Sequence, residues 1–325
     1  MPSNKSAEHF VTLFDSKFLP MGMCLHASLM EHGQPFHLWI LCMDALVEQQ
    51  LRQLALPYVS LIPLQEVETD ALLDVKNSRT RGEYCWTLTP FTPQFVFDRD
   101  QTVERVTYLD ADIFFFDSPQ LLLKEFEESG KHVLITEHAY APEYIHQTET
   151  SGRFCVQFMS FCRTDSGFTV MKWWQDRCLE WCFARHEEGK FGDQKYLDDW
   201  PARFSNEVHV LKQVQKTLAP WNVRHFQRVY GENLRPVFYH FQALRVIART
   251  RVLLYSGYKI GALGKRLYKQ YVRALRAAFR TVNSKGFEVE PIPISPKKES
   301  WWMLRKINRR LRGIVAYARV DNSAG

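Results

Sequence analysis

The sequence predicts an α/β fold in which a mostly parallel sheet is flanked by helices, and three observations carry that expectation. Short apolar runs alternate with helix-patterned segments over residues 10–210, the order that strand–helix–strand units leave in a chain. Several of those runs end on an acid: Asp15, Asp44 and Asp110. In open α/β sheets ligands bind beyond the carboxyl ends of the strands, so acids at those ends mark the functional edge. Finally, 325 residues with 46% hydrophobic and 24% charged side chains suffice for one large domain with an appendage, or for two domains.

Taken in order, Phe10 to Phe14 of "HFVTLFDSKF" form a first strand, and Asp15 opens the loop after it. "LPMGMCLHASLMEHG" carries apolar residues at helical spacing and stops at Gly33. "FHLWILCMD" is a second buried strand ending on Asp44, "ALVEQQLRQLAL" an amphipathic helix closed by Pro57, and "YVSLIPL" a third strand. "ERVTYLDAD" is a further strand with acids at its end, followed by the strands "HVLITEH" and "SGRFCVQFMSFCR". The aromatic-rich "GFTVMKWWQDRCLEWCFARHE" reads as a long helix, and "VHVLKQ" as a strand after it. There is no internal repeat and no low-complexity tract.

The C-terminal part differs in charge. Residues 245–325 hold 19 of the 42 Lys and Arg but only 4 of the 36 Asp and Glu. A mildly acidic body with a basic tail suggests catalysis in the body and an anionic partner for the tail. Residues 1–245 are expected to form the main domain and 246–287 a helical extension. Pro- and charge-rich residues 288–300 read as a linker. In 301–325, Trp301, Trp302, Leu304, Ile307, Leu311, Ile314 and Val315 take one helical face, and Arg305, Lys306, Arg309, Arg310 and Arg312 the other. Such a basic amphipathic helix suits an anionic membrane surface. The body carries no nucleic-acid motif, so no nucleic-acid partner is expected.

Seven scattered cysteines without a CxxC exclude a zinc ribbon or a disulfide framework and fit a reducing compartment. Cys178 and Cys182 stand four apart, where packing suits them better than ligation. "MPSNKSAEHF" lacks the apolar core of a signal peptide, and no stretch has transmembrane length. The expected setting is cytoplasmic, with peripheral contact to the membrane.

Asp110 and Asp112 interrupt a buried run, and a buried carboxylate is costly unless a cation or hydrogen-bond donors meet it. Residues two apart on a strand share a face. If the strand continues through them, both carboxylates aim at one point; a turn would loosen that geometry. Two hard oxygen ligands suit Mg²⁺ or Mn²⁺, which complete their shell with water and substrate phosphates. A helix cap or a turn acid is the competing account.

"VTYLDADIFFF" resembles the D-x-D segment of GT-A fold, nucleotide-sugar-dependent glycosyltransferases, in particular those similar to family 8. The likeness runs in order through residues 10–245. "HFVTLFDSKFLPMGMCLHASL" looks like the family's first strand and helix, "VKNSRTRGEYCWTLTP" like the segment before the D-x-D, "FGDQKYLDDWP" like its D-Q region, and "PVFYHFQALR" like its closing histidine segment. The basic tail lies outside the likeness.

The resemblance implies a GT-A (Rossmann-like) domain that binds a nucleoside-diphosphate sugar, of UDP type, with Mn²⁺ or Mg²⁺. It moves the sugar to a lipid-linked or polysaccharide acceptor with retention. Asp110, Asp112 and His240 would hold the metal; taken alone, a histidine in "FYHF" is more often a core residue. Thr12 and Asp15 match the strand that contacts base and ribose, and Trp221 and Asn222 would offer an aromatic platform and an amide. Asp193 and Gln194 match the pair beside the anomeric carbon; a polar turn is the plain reading of "GKFGDQK". Lys76 and Arg79, spaced i, i+3, would share a helical face toward phosphates or the acceptor, or make an ordinary solvated face.

One departure stands out. Where family relatives tend to carry an asparagine and a glycine, "GRFCVQF" has Cys155 and Gln157. A thiol cannot replace an amide that both donates and accepts. That leaves open a catalytically weakened relative that binds nucleotide or glycan. A phosphatase with an aspartate nucleophile is disfavoured, because that motif follows the first strand and Phe114 occupies the place of its expected threonine or valine.

Overall fold

Strand β1 (Glu8–Phe14) lies inside the molecule because its side chains are apolar on both faces. Phe10 and Phe14 enter one hydrophobic layer while Val11 and Leu13 enter the other. A strand buried on both faces needs neighbours on both edges. In the computed structural model, which describes residues 7–292 and 313–320, β2 (Phe36–Cys42) and β4 (Arg105–Leu109) supply them, both parallel to β1.

Among the described residues the main sheet has seven strands. It is completed by β3 (Val59–Pro63), β6 (Val133–Glu137), β7 (Phe154–Cys162) and β8 (Val208–Val210), in the order β3-β2-β1-β4-β7-β6-β8. Only β7 runs antiparallel to its neighbours. Helices Leu19–His32 and Gly261–Ser284 cover the face that receives Phe10, and helices Thr92–Arg99 and Asp165–Glu180 cover the other. Burying a Leu or Phe side chain in such a layer contributes about 1.5–3 kcal/mol.

A second, three-stranded sheet sits at the carboxyl end of β4. It joins β5 (Ile113–Phe115) to β10 (Phe238–His240), antiparallel, and β10 to β9 (Thr217–Leu218), parallel. A third is the meander of β11 (Arg245–Ala248), β12 (Arg251–Ser256) and β13 (Val315–Arg319).

Two expectations for the C-terminal part are corrected. Residues 246–287 begin with the β11–β12 hairpin, and the helix that follows is part of the main core. Its Leu263, Leu267, Tyr271 and Leu275 are buried in the same layer as Leu25 and Phe10. Nor is the described end of the basic segment helical. Gly313 has a positive φ of 66°, which ends any right-handed helix there, and Val315–Arg319 pair with β12. The remainder of the expected linker and amphipathic helix, 293–312 and 321–325, lies outside the described residues. No helix among the described residues is long and apolar enough to cross a membrane.

Candidate metal centre

The acids of "LDAD" are brought together by a turn rather than by strand alternation. β4 ends at Leu109, and the backbone folds so that Ile113 N–H donates to the Asp110 carbonyl at 3.1 Å. β5 then starts at Ile113 and pairs with β10 in a register that sets His240 opposite Ile113. Phe241 N–H donates to the Asp112 carbonyl at 2.9 Å, which ties the histidine strand to the acidic turn. The two elements are distant in sequence, so the second sheet has the task of carrying His240 to the aspartates.

His240 Nε2 lies 3.1 Å from Asp112 Oδ1 and 3.6 Å from Asp110 Oδ2. One ligand atom from each of the three residues falls within 4.8 Å of the others. Ligands about 2.1 Å from a small divalent cation and at right angles to one another lie roughly 3 Å apart, so this spacing fits a cation. Two carboxylates and one imidazole match hard, borderline ions such as Mg²⁺ or Mn²⁺.

The electrostatics agree. Burial alone would lower the basicity of His240, but Asp112 and Asp110 overcome it and hold the imidazole pKa above its ordinary value. Asp112 shows the mirror effect: burial disfavours its charge, and His240 outweighs that, so its pKa falls. For Asp110 burial prevails over His240, with the Asp112 charge adding to it, and its pKa rises. One carboxylate thus carries its charge with ease and the other under protest, which a cation would relieve. Tyr108 steadies Asp110 by donating to Oδ1 at 2.9 Å.

Asp193 and Trp221 stand beside this cluster, and the other residues the sequence pointed to are placed by contacts of their own. Asp193 is buried, and burial followed by the charge of Asp110 pushes its pKa up to about 8. Trp174 donates to the Asp193 carbonyl at 2.9 Å, and Gln194 Nε2 to the Ser151 carbonyl at 2.6 Å. The Trp221 ring meets His240 edge-on with centroids 5.6 Å apart. Thr12 is fully buried on β1, and its hydroxyl has no hydrogen-bond partner. Asp15, just beyond β1, accepts from Lys17 N–H at 3.1 Å and from Arg81 at 3.2 Å.

Three of the expected binding side chains are engaged within the fold. Arg79 donates to the carbonyls of Cys178 and Leu179, each at 2.7 Å, and to Thr87, so its guanidinium is spent inside the fold. Lys76 pairs with Glu68 at 2.6 Å. The two do not share a helical face, because one helix ends at Lys76 and the next begins at Arg81 behind a Thr80–Glu83 capping box. Asn222 is likewise committed: Oδ1 accepts from Ala219 N–H at 2.9 Å, and Nδ2 donates to the His138 carbonyl at 3.0 Å.

Two further residues stand out, Arg81, which sequence reasoning passed over, and Gln157, which it marked only as a departure from the family pattern. Arg81 reaches both Asp15 and Asp44 at 3.2 Å, and its side chain remains half exposed at the strand ends. The capping box in "TRGE" is the signal that marks Arg81 as the first helical residue. Gln157 touches His240 directly, with Oε1 2.8 Å from Nδ1. No periodicity announces that contact.

No protein-family model matches the chain. It is 30% identical to the uncharacterised protein YfnD of Bacillus subtilis over 281 residues, covering 83% of this chain and 89% of that one. It is 31% identical to the uncharacterised protein YfnF of the same organism over 252 residues, covering 74% and 82%. The crystal structure of the apo-form glycosyltransferase GlyE from Streptococcus pneumoniae superposes with a TM-score of 0.51 at 14% identity, over 90% of this chain and 66% of that one. The fold is therefore of the GT-A glycosyltransferase kind, as the D-x-D resemblance implied.

Proposed function

The chain belongs to the family of YfnD and YfnF of Bacillus subtilis, and we propose that it is a metal-dependent glycosyltransferase using a nucleoside-diphosphate sugar. The observation that carries the proposal is the convergence of Asp110, Asp112 and His240 at the carboxyl edge of a GT-A-type sheet. Each of the three would hold a divalent cation, Mn²⁺ or Mg²⁺. Bound there, that cation supplies Lewis-acid neutralisation of the departing nucleoside diphosphate.

The chain's own groups do the rest. Tyr108 keeps one Asp110 oxygen engaged so that the other faces the cluster. Thr12, buried within β1, and Asp15, just beyond it, are assigned to the base and ribose of a UDP-type donor, and Trp221 walls the site beside His240. Asp193 and Gln194 are assigned to the transferred sugar. The buried Asp193 carboxyl near Asp110 supports that role, since a group of such pKa can donate to or accept from a sugar hydroxyl near neutral pH. Retention is the expected outcome. The acceptor is assigned as a polysaccharide or a lipid-linked glycan.

Release of nucleoside diphosphate from a panel of sugar nucleotides, with MnCl2 or with EDTA, tests this reading. The expected result is turnover of at least one donor that EDTA abolishes and Asp112→Asn lowers at least a hundredfold. Turnover indifferent to both would refute it. Proton NMR of the product's anomeric coupling reads out the stereochemistry from the same reaction.

A further inference from the structure

We infer that Gln157 is a positioning residue that fixes the tautomer and ring orientation of His240 for metal binding. This rests on the reading of Asp110, Asp112 and His240 as metal ligands. A cation at Nε2 requires a lone pair there, so the ring proton must sit on Nδ1 and needs an acceptor. Gln157 Oε1, 2.8 Å away and buried, provides it. The same residue braces the first ligand, because its backbone carbonyl accepts from Asp110 N–H at 3.0 Å. One residue of β7 therefore holds two of the three ligands in register.

The rest of the Gln157 side chain argues against a purely structural role. Its Nε2 is buried and finds no hydrogen-bond partner. A buried amide with one unpaired end is a poor stabiliser, and an apolar side chain of the same shape would pack there without that penalty. Cys155, two residues earlier on the strand, is buried in a small cluster with Trp221, whose ring meets His240 edge-on. Of the two positions where this chain departs from the family pattern, Gln157 addresses the histidine directly.

The test is calorimetric titration of the full chain with MnCl2, alongside the melting temperature of the metal-free protein. Gln157→Met, which keeps the shape and removes the acceptor, is expected to weaken Mn²⁺ binding about 10- to 100-fold, with a melting temperature lowered by no more than a few degrees, the cost of leaving His240 Nδ1–H without its acceptor. Gln157→Glu restores an acceptor for Nδ1–H and is expected to bind within a few-fold of the unmutated chain. Unchanged affinity in Gln157→Met overturns the inference, and so does equal weakening in both variants. A large fall in melting temperature for Gln157→Met overturns it in favour of a packing role. If the unmutated chain takes up no Mn²⁺, the metal reading itself fails first, and that result is distinct from the other three. Long-range proton–nitrogen NMR of the His240 ring in the unmutated chain loaded with Mg²⁺ gives an independent readout: a proton on Nε2 rather than Nδ1 would contradict the assigned geometry.

Discussion

At the residue scale, His138 shows what burial does to a base placed behind the metal candidates. It stacks on Tyr140 with centroids 4.7 Å apart, and its Nδ1 lies 3.1 Å from the Gly152 carbonyl. Burial, then the charge of His240, lowers its pKa to about 3 from an ordinary 6.5. Between those values the unfolded chain takes up a proton that the folded chain refuses. Stability from this site is therefore intact above pH 6.5 and declines as pH falls toward 3. At pH 5.0 the loss is about 2 kcal/mol, from 1.36 kcal/mol per pH unit. Urea unfolding at pH 7.5 and pH 5.0 checks this: His138→Gln should lose about 2 kcal/mol less between the two than the unmutated chain. Equal losses would show that His138 titrates normally. Residues of this kind divide by legibility. Asp110 and Asp112 were readable because two charges inside an apolar run demand compensation. Arg79 misled because a lone basic residue carries no sign of whether carbonyls or solvent await it. Gln157 was unreadable in its role, since its partner is 83 residues away.

Among the elements, helix Gly261–Ser284 joins two surfaces. Its inner face belongs to the core, while Lys265, Lys269 and Arg273 on the outer face make no ion pair among the described residues. The helix has no acidic residue. Beside those cations runs a groove of about 530 Å³ floored by Leu254, Tyr255, Tyr268 and Val272. The expected membrane contact was assigned to 301–325, and this described face extends the same argument: cations rimming an apolar groove suit acidic phospholipid. Co-sedimentation with acidic vesicles is expected, weakened roughly a hundredfold or more by joint replacement of Lys265, Lys269 and Arg273 with Glu. Unchanged sedimentation would contradict it. The strands and longer helices were legible element by element, since their apolar periods are long and unbroken. The turn at Asp110–Ile113 was not, because two residues cannot distinguish a continuing strand from its end. The strand Val315–Arg319 was missed because basic residues upstream imposed a helical pattern and only the unpaired edge of β12 makes a strand preferable.

Across the whole molecule, the parallel half of the sheet followed from local alternation, but its completion did not. β7 runs antiparallel between β4 and β6, and the second sheet closes over residues more than 100 apart in sequence. Those are choices of pairing made by tertiary burial, and they create the site. Without the β5–β10 register, His240 would be an ordinary core histidine, as its local sequence suggests. The central claim is that this register assembles a divalent-cation site. Crystals grown with MnCl2 and a nucleoside diphosphate, measured at a wavelength where manganese scatters anomalously, address it most directly. The account predicts an anomalous peak roughly 2.1 Å from one oxygen each of Asp110 and Asp112 and from His240 Nε2, with phosphate oxygens completing the shell. A map with nucleotide bound and no peak between those three side chains would contradict it.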